Sequence, residues 1–132
     1  MIRKIVKEFI KAYKRLLNLF DPPVIILIYH RVTRLSSDPH LLSVSPENFH
    51  AQMQFLKENF PVLRFEESWS GVREPSVVVT FDDGYADNVL EVLPILEYMQ
   101  VPAAFFISTG NIDGGEFWWD ELERIILGYQ VY

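Results

Sequence analysis

The sequence contains no cysteine among its 132 residues. This absence excludes a disulfide framework and any metal site built on thiolates. Histidine is also scarce: His30, His40 and His50 are the only ones, and no two of them are four residues apart. One turn of a helix therefore cannot offer two imidazoles to a metal ion.

Long apolar runs are missing as well. The longest near the start is the six-residue VIILIY at 24–29, whereas a transmembrane helix needs about 20 residues. Charges recur every few positions before it, so the uninterrupted block of about 7–15 apolar residues in a signal peptide is not evident. A location in the cytoplasm or at the periphery of a membrane is favoured.

The net charge of -6 is unevenly distributed. Residues 1–20 hold six basic residues and one acidic residue, a net charge of +5, which leaves -11 for the other 112 residues. A nucleic-acid-binding domain carries its positive charge on the folded surface, so no nucleic-acid partner is expected. The chain of 132 residues, 49% of them hydrophobic, is large enough for one domain with a core.

The basic segment predicts an amphipathic helix, which sets the domain boundaries at 1–21 for the helix and 24–132 for the folded domain. Proline ends the helix at Asp21-Pro22-Pro23. The apolar face either docks on the domain or lies on an anionic membrane surface, a peripheral contact through residues 2–20. The apolar residues recur at spacings of three and four: Ile2, Ile5, Val6, Phe9, Ile10, Tyr13, Leu16, Leu17 and Phe20.

The remaining pattern predicts alternating strands and helices, hence an α/β fold with a parallel sheet. A buried strand is predicted at 24–29, further strands at 77–79 and 103–107, and a short one at 62–63. Helices are predicted from the capping sequence Ser45-Pro46-Glu47 onward, at 88–99 and at 117–127, whereas 31–44 reads as a loop. In the first helix Phe49, Met53, Phe55 and Leu56 form the expected apolar face.

Two adjacent carboxylates, Asp82 and Asp83, follow the apolar run SVVVTF and precede Gly84. In parallel α/β folds the functional residues lie at the carboxyl ends of strands. One acid of such a pair can bind a divalent cation while the other accepts a proton from water. The alternative is an ordinary turn, with Asp87 capping the next helix.

These residues resemble the polysaccharide deacetylases, the NodB-homology carbohydrate esterases. Thr80-Phe81-Asp82-Asp83-Gly84-Tyr85 resembles the family's first motif, and Ile26 to Val32 (ILIYHRV) resembles its opening strand. Three further segments lie in the same order as in the family. Ser45 to Phe49 (SPENF) resembles the first conserved helix, and Val101 to Ile107 (VPAAFFI) resembles the strand after the motif. Phe117 to Leu122 (FWWDEL) resembles a segment found in a bacterial branch of the family.

The resemblance implies a distorted (β/α) barrel and a hydrolase that removes N- or O-acetyl groups from a glycan with the help of a divalent metal, zinc being the expected ion. It implies that Asp82 is the general base and Asp83 a metal ligand, with a metal-bound water attacking the acetyl carbonyl. His30 and Tyr85 are candidates for the mouth of the active site. His30 is equally well read as a buried structural histidine.

The sequence departs from the family at its second motif, a His-x-x-x-His pair that binds the metal. All three histidines precede Asp82, and catalytic zinc needs about three protein ligands. We therefore expect an incomplete barrel and a truncated form that is inactive or weakly active. The alternative is a non-catalytic module that binds a glycan or a partner, in which Phe117, Trp118 and Trp119 stack on sugars, although at helical spacing they also suit a core.

Overall fold

The computed structural model describes residues 2–18, 20–112 and 114–128. Helices and strands alternate along the chain, as predicted. Their bounds are α1 Ile2–Leu17, β1 Val24–Tyr29, β2 Arg31–Val32, β3 Ser43–Val44, α2 Pro46–Asn59, β4 Val62–Leu63, β5 Ser76–Phe81, a π-helical turn Asn88–Val92, α3 Leu93–Met99, β6 Ala104–Phe105, a 3₁₀ turn Thr109–Asn111 and α4 Trp118–Leu127.

The main sheet is built around β5, and every pairing in it is parallel, which confirms the predicted sheet type. On one side β5 pairs with β1 along its full length, from Val24 opposite Ser76 to Tyr29 opposite Phe81. On the other side the first half of β5 pairs with β4 and the end of β5 pairs with β6. The carboxyl ends of β1, β5 and β6 therefore meet at one edge of the sheet.

The core lies between β5 and the helices that follow β3 and β5. Every residue of β5 is buried, as expected for an apolar, β-branched strand in the middle of a parallel sheet. The predicted cap of α2 is confirmed, because the Ser45 side chain accepts a hydrogen bond from the Asn48 amide at 3.3 Å. The main buried side chains are Phe49, Met53, Leu56, Val77, Val79, Phe81, Val92, Leu96 and Met99.

Four expectations about local structure differ from the structure. Ile25, Ile26 and Ile28 of β1 are exposed rather than buried, because β1 pairs only with β5 among the described residues. Phe55 is likewise exposed, since α2 turns only Phe49, Met53 and Leu56 inward. The strand predicted at 103–107 shortens to two residues, and the helix predicted at 88–99 divides into a π-helical turn and α3.

The segment 31–44, predicted to be a loop, contains the small parallel sheet of β2 and β3. Asp38 organises the return of the chain into β3. Its two carboxylate oxygens accept hydrogen bonds from the Leu42 and Ser43 amides at 3.1 and 2.9 Å. Side chain–backbone hydrogen bonds of this kind do not depend on hydrophobic periodicity, so the hydrophobic pattern does not indicate these strands.

The amphipathic helix α1 ends at Leu17 instead of residue 20, and residue 19 lies outside the described residues. Its described apolar side chains, among them Phe9 at 77% and Tyr13 at 58%, remain exposed. The interpretation in which this face docks on the domain is therefore wrong for the described residues. Within the described part of the chain, no helix is both long enough and apolar enough to cross a membrane.

Candidate functional site

A tight turn directly after β5 holds the two adjacent carboxylates. The Asp82 amide donates to the Tyr29 carbonyl at 2.9 Å, which extends the pairing with β1 by one residue. The Gly84 amide then donates to the Asp82 carbonyl at 2.9 Å, so Asp83 lies at the centre of a three-residue γ-turn. Asp83 and Gly84 both have positive φ angles, 71° and 79°.

The conformation of Asp83 is strained and is held in place by its neighbours. A residue other than glycine with positive φ costs about 1–3 kcal/mol, and such residues cluster at functional sites. The Ser108 amide donates to the Asp83 carbonyl at 3.1 Å. A Cβ added at Gly84 would lie 2.8 Å from Cγ2 of Ile107. The segment after β6 therefore packs directly on this turn and fixes it.

Both aspartates line the same cavity at the edge of the sheet. This cavity of about 460 Å³ is also lined by Phe106, Ile107 and Ser108. Asp83 borders in addition a larger cleft of about 780 Å³. The structure thus brings Asp82 and Asp83 together at one opening, although side chains of successive residues in a continuing strand would point to opposite faces.

The two residues proposed for the mouth of the site lie in different places. Tyr85 lines the larger cleft together with Asp83. His30 is half-buried and lines a separate cavity of about 420 Å³ with Leu41, Leu42 and Gln52. The lining residues thus group Tyr85, but not His30, with Asp83.

A partly buried polar cluster lies at one wall of the larger cleft. Trp119 Nε1 donates to the Tyr85 hydroxyl at 2.8 Å, and that hydroxyl donates to Asp120 Oδ1 at 3.2 Å. The Trp119 ring stacks on Phe117 with centroids 4.6 Å apart, and Phe117 lines the cleft. Both rings are half-buried, whereas Trp118 is 69% exposed. None of the three belongs to the hydrophobic core, which contradicts the prediction that they are core residues.

An ion pair lies beneath this wall. Arg31 Nε and Asp87 Oδ2 are 3.0 Å apart, and the Arg31 side chain is only 5% exposed. Asp87 Oδ1 also accepts from the Val32 amide at 3.0 Å. The Arg31 guanidinium lies 4.4 Å from the centre of the Tyr85 ring, a cation–π contact.

Sequence reasoning missed this pair. The alternative interpretation, an ordinary turn with Asp87 as helix cap, is wrong about Asp87, because its side chain makes no capping hydrogen bond. Arg31 belongs to the segment ILIYHRV and directly follows His30, but the hydrophobic pattern assigns it no role. Its position at that edge of a parallel sheet was the signal that could have found it.

Burial perturbs the titration of the cluster. Removal from water raises the pKa of Asp120 above its ordinary value, an effect that the hydrogen bond from Tyr85 and the charge of Arg31 partly offset. Burial likewise raises the pKa of the Tyr85 hydroxyl strongly, which keeps it protonated and available as a donor. Acidic and phenolic groups respond to burial in this direction because their charged forms lose hydration.

The described residues alone do not make up a metal site. Across 2–18, 20–112 and 114–128, no group of three or more potential ligands could hold a metal ion. His40 lies 3.7 Å from Glu123, and the ring of His50 stacks on Tyr98. Two carboxylates at a water-accessible turn fall short of the about three protein ligands that a catalytic zinc requires.

Comparisons with known proteins identify the family to which this architecture belongs. The sequence model of the family described as polysaccharide deacetylase matches residues 70–127. The poly-beta-1,6-N-acetyl-D-glucosamine N-deacetylase of Escherichia coli K12 is 31% identical over 88 residues, which are 61% of this chain and 13% of that protein.

Solved structures agree with this result. BC0361, a polysaccharide deacetylase from Bacillus cereus, is 29% identical with a TM-score of 0.56, over 82% of this chain and 37% of that one. IcaB from Ammonifex degensii shares the fold with a TM-score of 0.62 at 23% identity, over 82% of this chain and 50% of that one. Such structures have a (β/α) barrel, of which the chain covers only part. The chain therefore belongs to the polysaccharide deacetylase (NodB-homology) family and spans a part of that family's domain.

Proposed function

We propose that the protein containing this chain hydrolyses acetyl groups from a carbohydrate, with Asp82 as general base. The observation that carries the proposal is the turn at 82–84, where a strained aspartate and its neighbour face one cavity at the carboxyl edge of a parallel sheet. Strain of this kind persists only where the surroundings enforce it and is concentrated at functional sites. Membership of the deacetylase family supports the reaction class.

In this proposal Asp82 accepts a proton from a water molecule whose oxygen forms a bond to the acetyl carbonyl carbon. The bond from that carbon to the sugar nitrogen or oxygen then breaks, acetate leaves, and the released sugar atom takes up a proton. Asp83 is proposed as a carboxylate ligand of a divalent metal. Such a metal, when bound, polarises a carbonyl and lowers the pKa of water.

We further propose that these 132 residues by themselves are inactive or weakly active. One carboxylate ligand holds a divalent ion weakly, so the remaining ligands must come from outside the described residues. Exposed apolar side chains on β1 and α4 support completion by further chain, from the same or another polypeptide, because folded proteins rarely leave large apolar patches in water. These side chains are Ile25, Ile26, Ile28, Leu122, Ile125 and Ile126.

The proposed substrate class is an acetylated amino-sugar polymer. The larger cleft combines a carboxylate, Asp83, with the aromatic wall of Tyr85 and Phe117. Polar groups and aromatic faces together are the usual lining of small-molecule sites. The Escherichia coli relative is named for the deacetylation of a polymer of N-acetylglucosamine.

The roles of the two aspartates are tested in the protein as its source produces it, by acetate release from an N-acetylglucosamine polymer and by the zinc content of the same samples. Asp82→Asn is expected to abolish turnover and to leave zinc bound. Asp83→Ala is expected to lose both zinc and turnover. Asp21→Asn, an exposed site in the linker after α1, is the matched control. Opposite behaviour of the two variants would overturn the assignment.

A second candidate, a glycan-binding module without catalysis, is favoured by one observation. Trp118 is 69% exposed and lies next to Phe117 at the cleft, where an aromatic face can pack on a sugar ring. Retention of the polymer that is unchanged by Asp83→Ala and reduced by Trp118→Ala, without acetate release by the unmodified protein, would favour this module over the enzyme.

A further inference from the structure

The helix α1 presents its apolar side chains to water. Phe9, Tyr13 and Leu16 are exposed by 77%, 58% and 55%, and Val6 and Ile10 are also exposed. None of the described side chains of α1 belongs to the hydrophobic core. An uninterrupted apolar face of this kind on a surface marks an interaction site.

The charged residues of α1 occupy the opposite face. At about 100° of rotation per residue, all the apolar residues of 2–17 fall within a sector of about 160°, and every charged residue falls outside it. Arg3, Lys7 and Lys11 are exposed, and Lys11 pairs with Glu8 at 3.2 Å. A wide apolar face flanked by basic residues is typical of helices that lie in the interface of an anionic bilayer.

The width of the apolar sector argues against a second copy of the chain as the occupant. Two helices that pack as a coiled coil use a narrow seam at two positions in seven. In α1 nine of the 16 residues are apolar, which is more than such a seam covers. The charge argues in the same direction, since residues 1–20 carry +5 and anionic lipid attracts each basic residue near its surface.

We propose that α1 binds the surface of an anionic lipid bilayer, with its apolar face in the interface and its basic residues at the headgroups. With 16 residues the helix is about 24 Å long, and it lies along the surface rather than across it. It joins the sheet at the amino end of β1, whereas Asp82 and Asp83 follow the carboxyl end of β5. The length of β1, about 20 Å, therefore separates the attachment point from the candidate site.

The proposal is tested by sedimentation of the full chain with lipid vesicles, one set of phosphatidylcholine alone and one set with about a third phosphatidylglycerol. We expect binding to the anionic set and little binding to the neutral set. Binding to the anionic set should weaken as salt is raised from about 0.1 M to about 0.5 M, because the Debye length falls from about 10 Å and the charges are screened more strongly. Binding that is equal for both sets and insensitive to salt contradicts the proposal.

Two variants identify the surface responsible. Phe9→Glu removes a large apolar group and should lower the partition coefficient about ten- to a hundred-fold. Its matched control is Tyr98→Glu on α3, where the side chain is 82% exposed and no change is expected. The double change of Lys7 and Lys11 to Glu should lower binding at least about tenfold, with Arg73→Glu, an exposed basic residue elsewhere, as control.

Light scattering of the chain without vesicles tests whether the apolar face of α1 instead binds a second copy of the chain. A monomer that binds anionic vesicles supports the proposal. A dimer that Phe9→Glu dissociates, together with no sedimentation on either set of vesicles, overturns it in favour of a second copy. Far-UV circular dichroism of each variant confirms that the substitutions leave the helical content unchanged.

Discussion

At the residue scale, the backbone of the turn after β5 is the most specific feature of the molecule. Asp83 and Gly84 have consecutive positive φ angles, and Ile107 and the Ser108 amide pack against them. Glycine is needed at position 84 for two separate reasons, its φ angle and the lack of space for a Cβ. The geometry of the candidate site thus depends on glycine, which has no Cβ, at position 84.

Gly84→Ala should lower the free energy of unfolding by about 2–4 kcal/mol, because the strain of positive φ and a close contact with Ile107 add. Gly71→Ala is the matched control. Gly71 has a φ of 86° but nothing within 4 Å of an added Cβ, so strain alone should cost about 1 kcal/mol. Urea denaturation measures both, and equal losses would show that the contact with Ile107 is unimportant.

Asp120 should make stability depend on pH in the acidic range. Burial raises its pKa in the folded protein, so the folded state binds the proton more tightly than the unfolded chain. The contribution of Asp120 to the free energy of unfolding therefore falls as pH rises from the ordinary pKa of 3.8 through the raised one and is constant above it.

Asp120→Asn keeps an acceptor for the Tyr85 hydroxyl and removes this titration. Relative to the variant, the unmodified protein should lose stability between pH about 3.5 and the raised pKa. Urea midpoints measured for both proteins over this range provide the comparison. Stability curves that run parallel would contradict the assigned direction of the pKa shift.

At the element scale, one ion pair connects parts of the chain that are far apart in sequence. Arg31 and Val32 of β2 are tied to Asp87, at the start of the π-helical turn, by hydrogen bonds of 3.0 Å each. This tie places Tyr85 between Arg31 and Asp120. It therefore fixes the wall of the cleft as well as the turn that follows β5.

Asp87→Ala should lower the free energy of unfolding by about 3 kcal/mol or more, because it leaves the charge of Arg31 buried and the Val32 amide without this partner. Glu66→Gln breaks an exposed pair with Arg64, at 3.4 Å, and should cost at most about 1 kcal/mol. Thermal or urea unfolding of both variants tests the contrast. A loss from Asp87→Ala no larger than that from Glu66→Gln would show that the tie is not structural.

Elements with strong periodicity could be predicted from sequence, and those set by tertiary contacts could not. The run VVV and the sequence Ser45-Pro46 specify β5 and the start of α2 locally. The exposure of β1 depends on which strands pair beside it, and the two-residue strands β2 and β3 depend on Asp38. The π-helical turn at Asn88 has no local signal, since it inserts one residue into an otherwise helical pattern.

The same division holds for the candidate site. The place of Asp82 and Asp83 follows from strand pattern and topology alone. The strained φ of Asp83 and the burial of Arg31 depend on Ile107, Ser108 and Asp87, which are distant in sequence. The sequence pattern therefore locates the carboxylates and Tyr85 but does not indicate the buried pair of Arg31 and Asp87.

At the scale of the whole molecule, the charge distribution distinguishes two regions, the basic helix α1 and the acidic remainder of the chain. The basic helix α1 has exposed apolar and basic faces, whereas the acidic remainder forms a parallel sheet with the candidate site at its carboxyl edge. Apolar side chains of β1 and α4 are exposed beside this sheet. We therefore predict that the working site includes chain beyond the described residues.

The most direct test of the proposed function is acetate release by Asp82→Asn in the protein as its source produces it, with zinc content measured on the same sample. Loss of a positioned general base lowers the rate by about 10²–10⁴-fold. We predict a loss of this size with zinc content unchanged. Acetate release at the rate of the unmodified protein would contradict the role of Asp82 and, with it, the proposed deacetylase site.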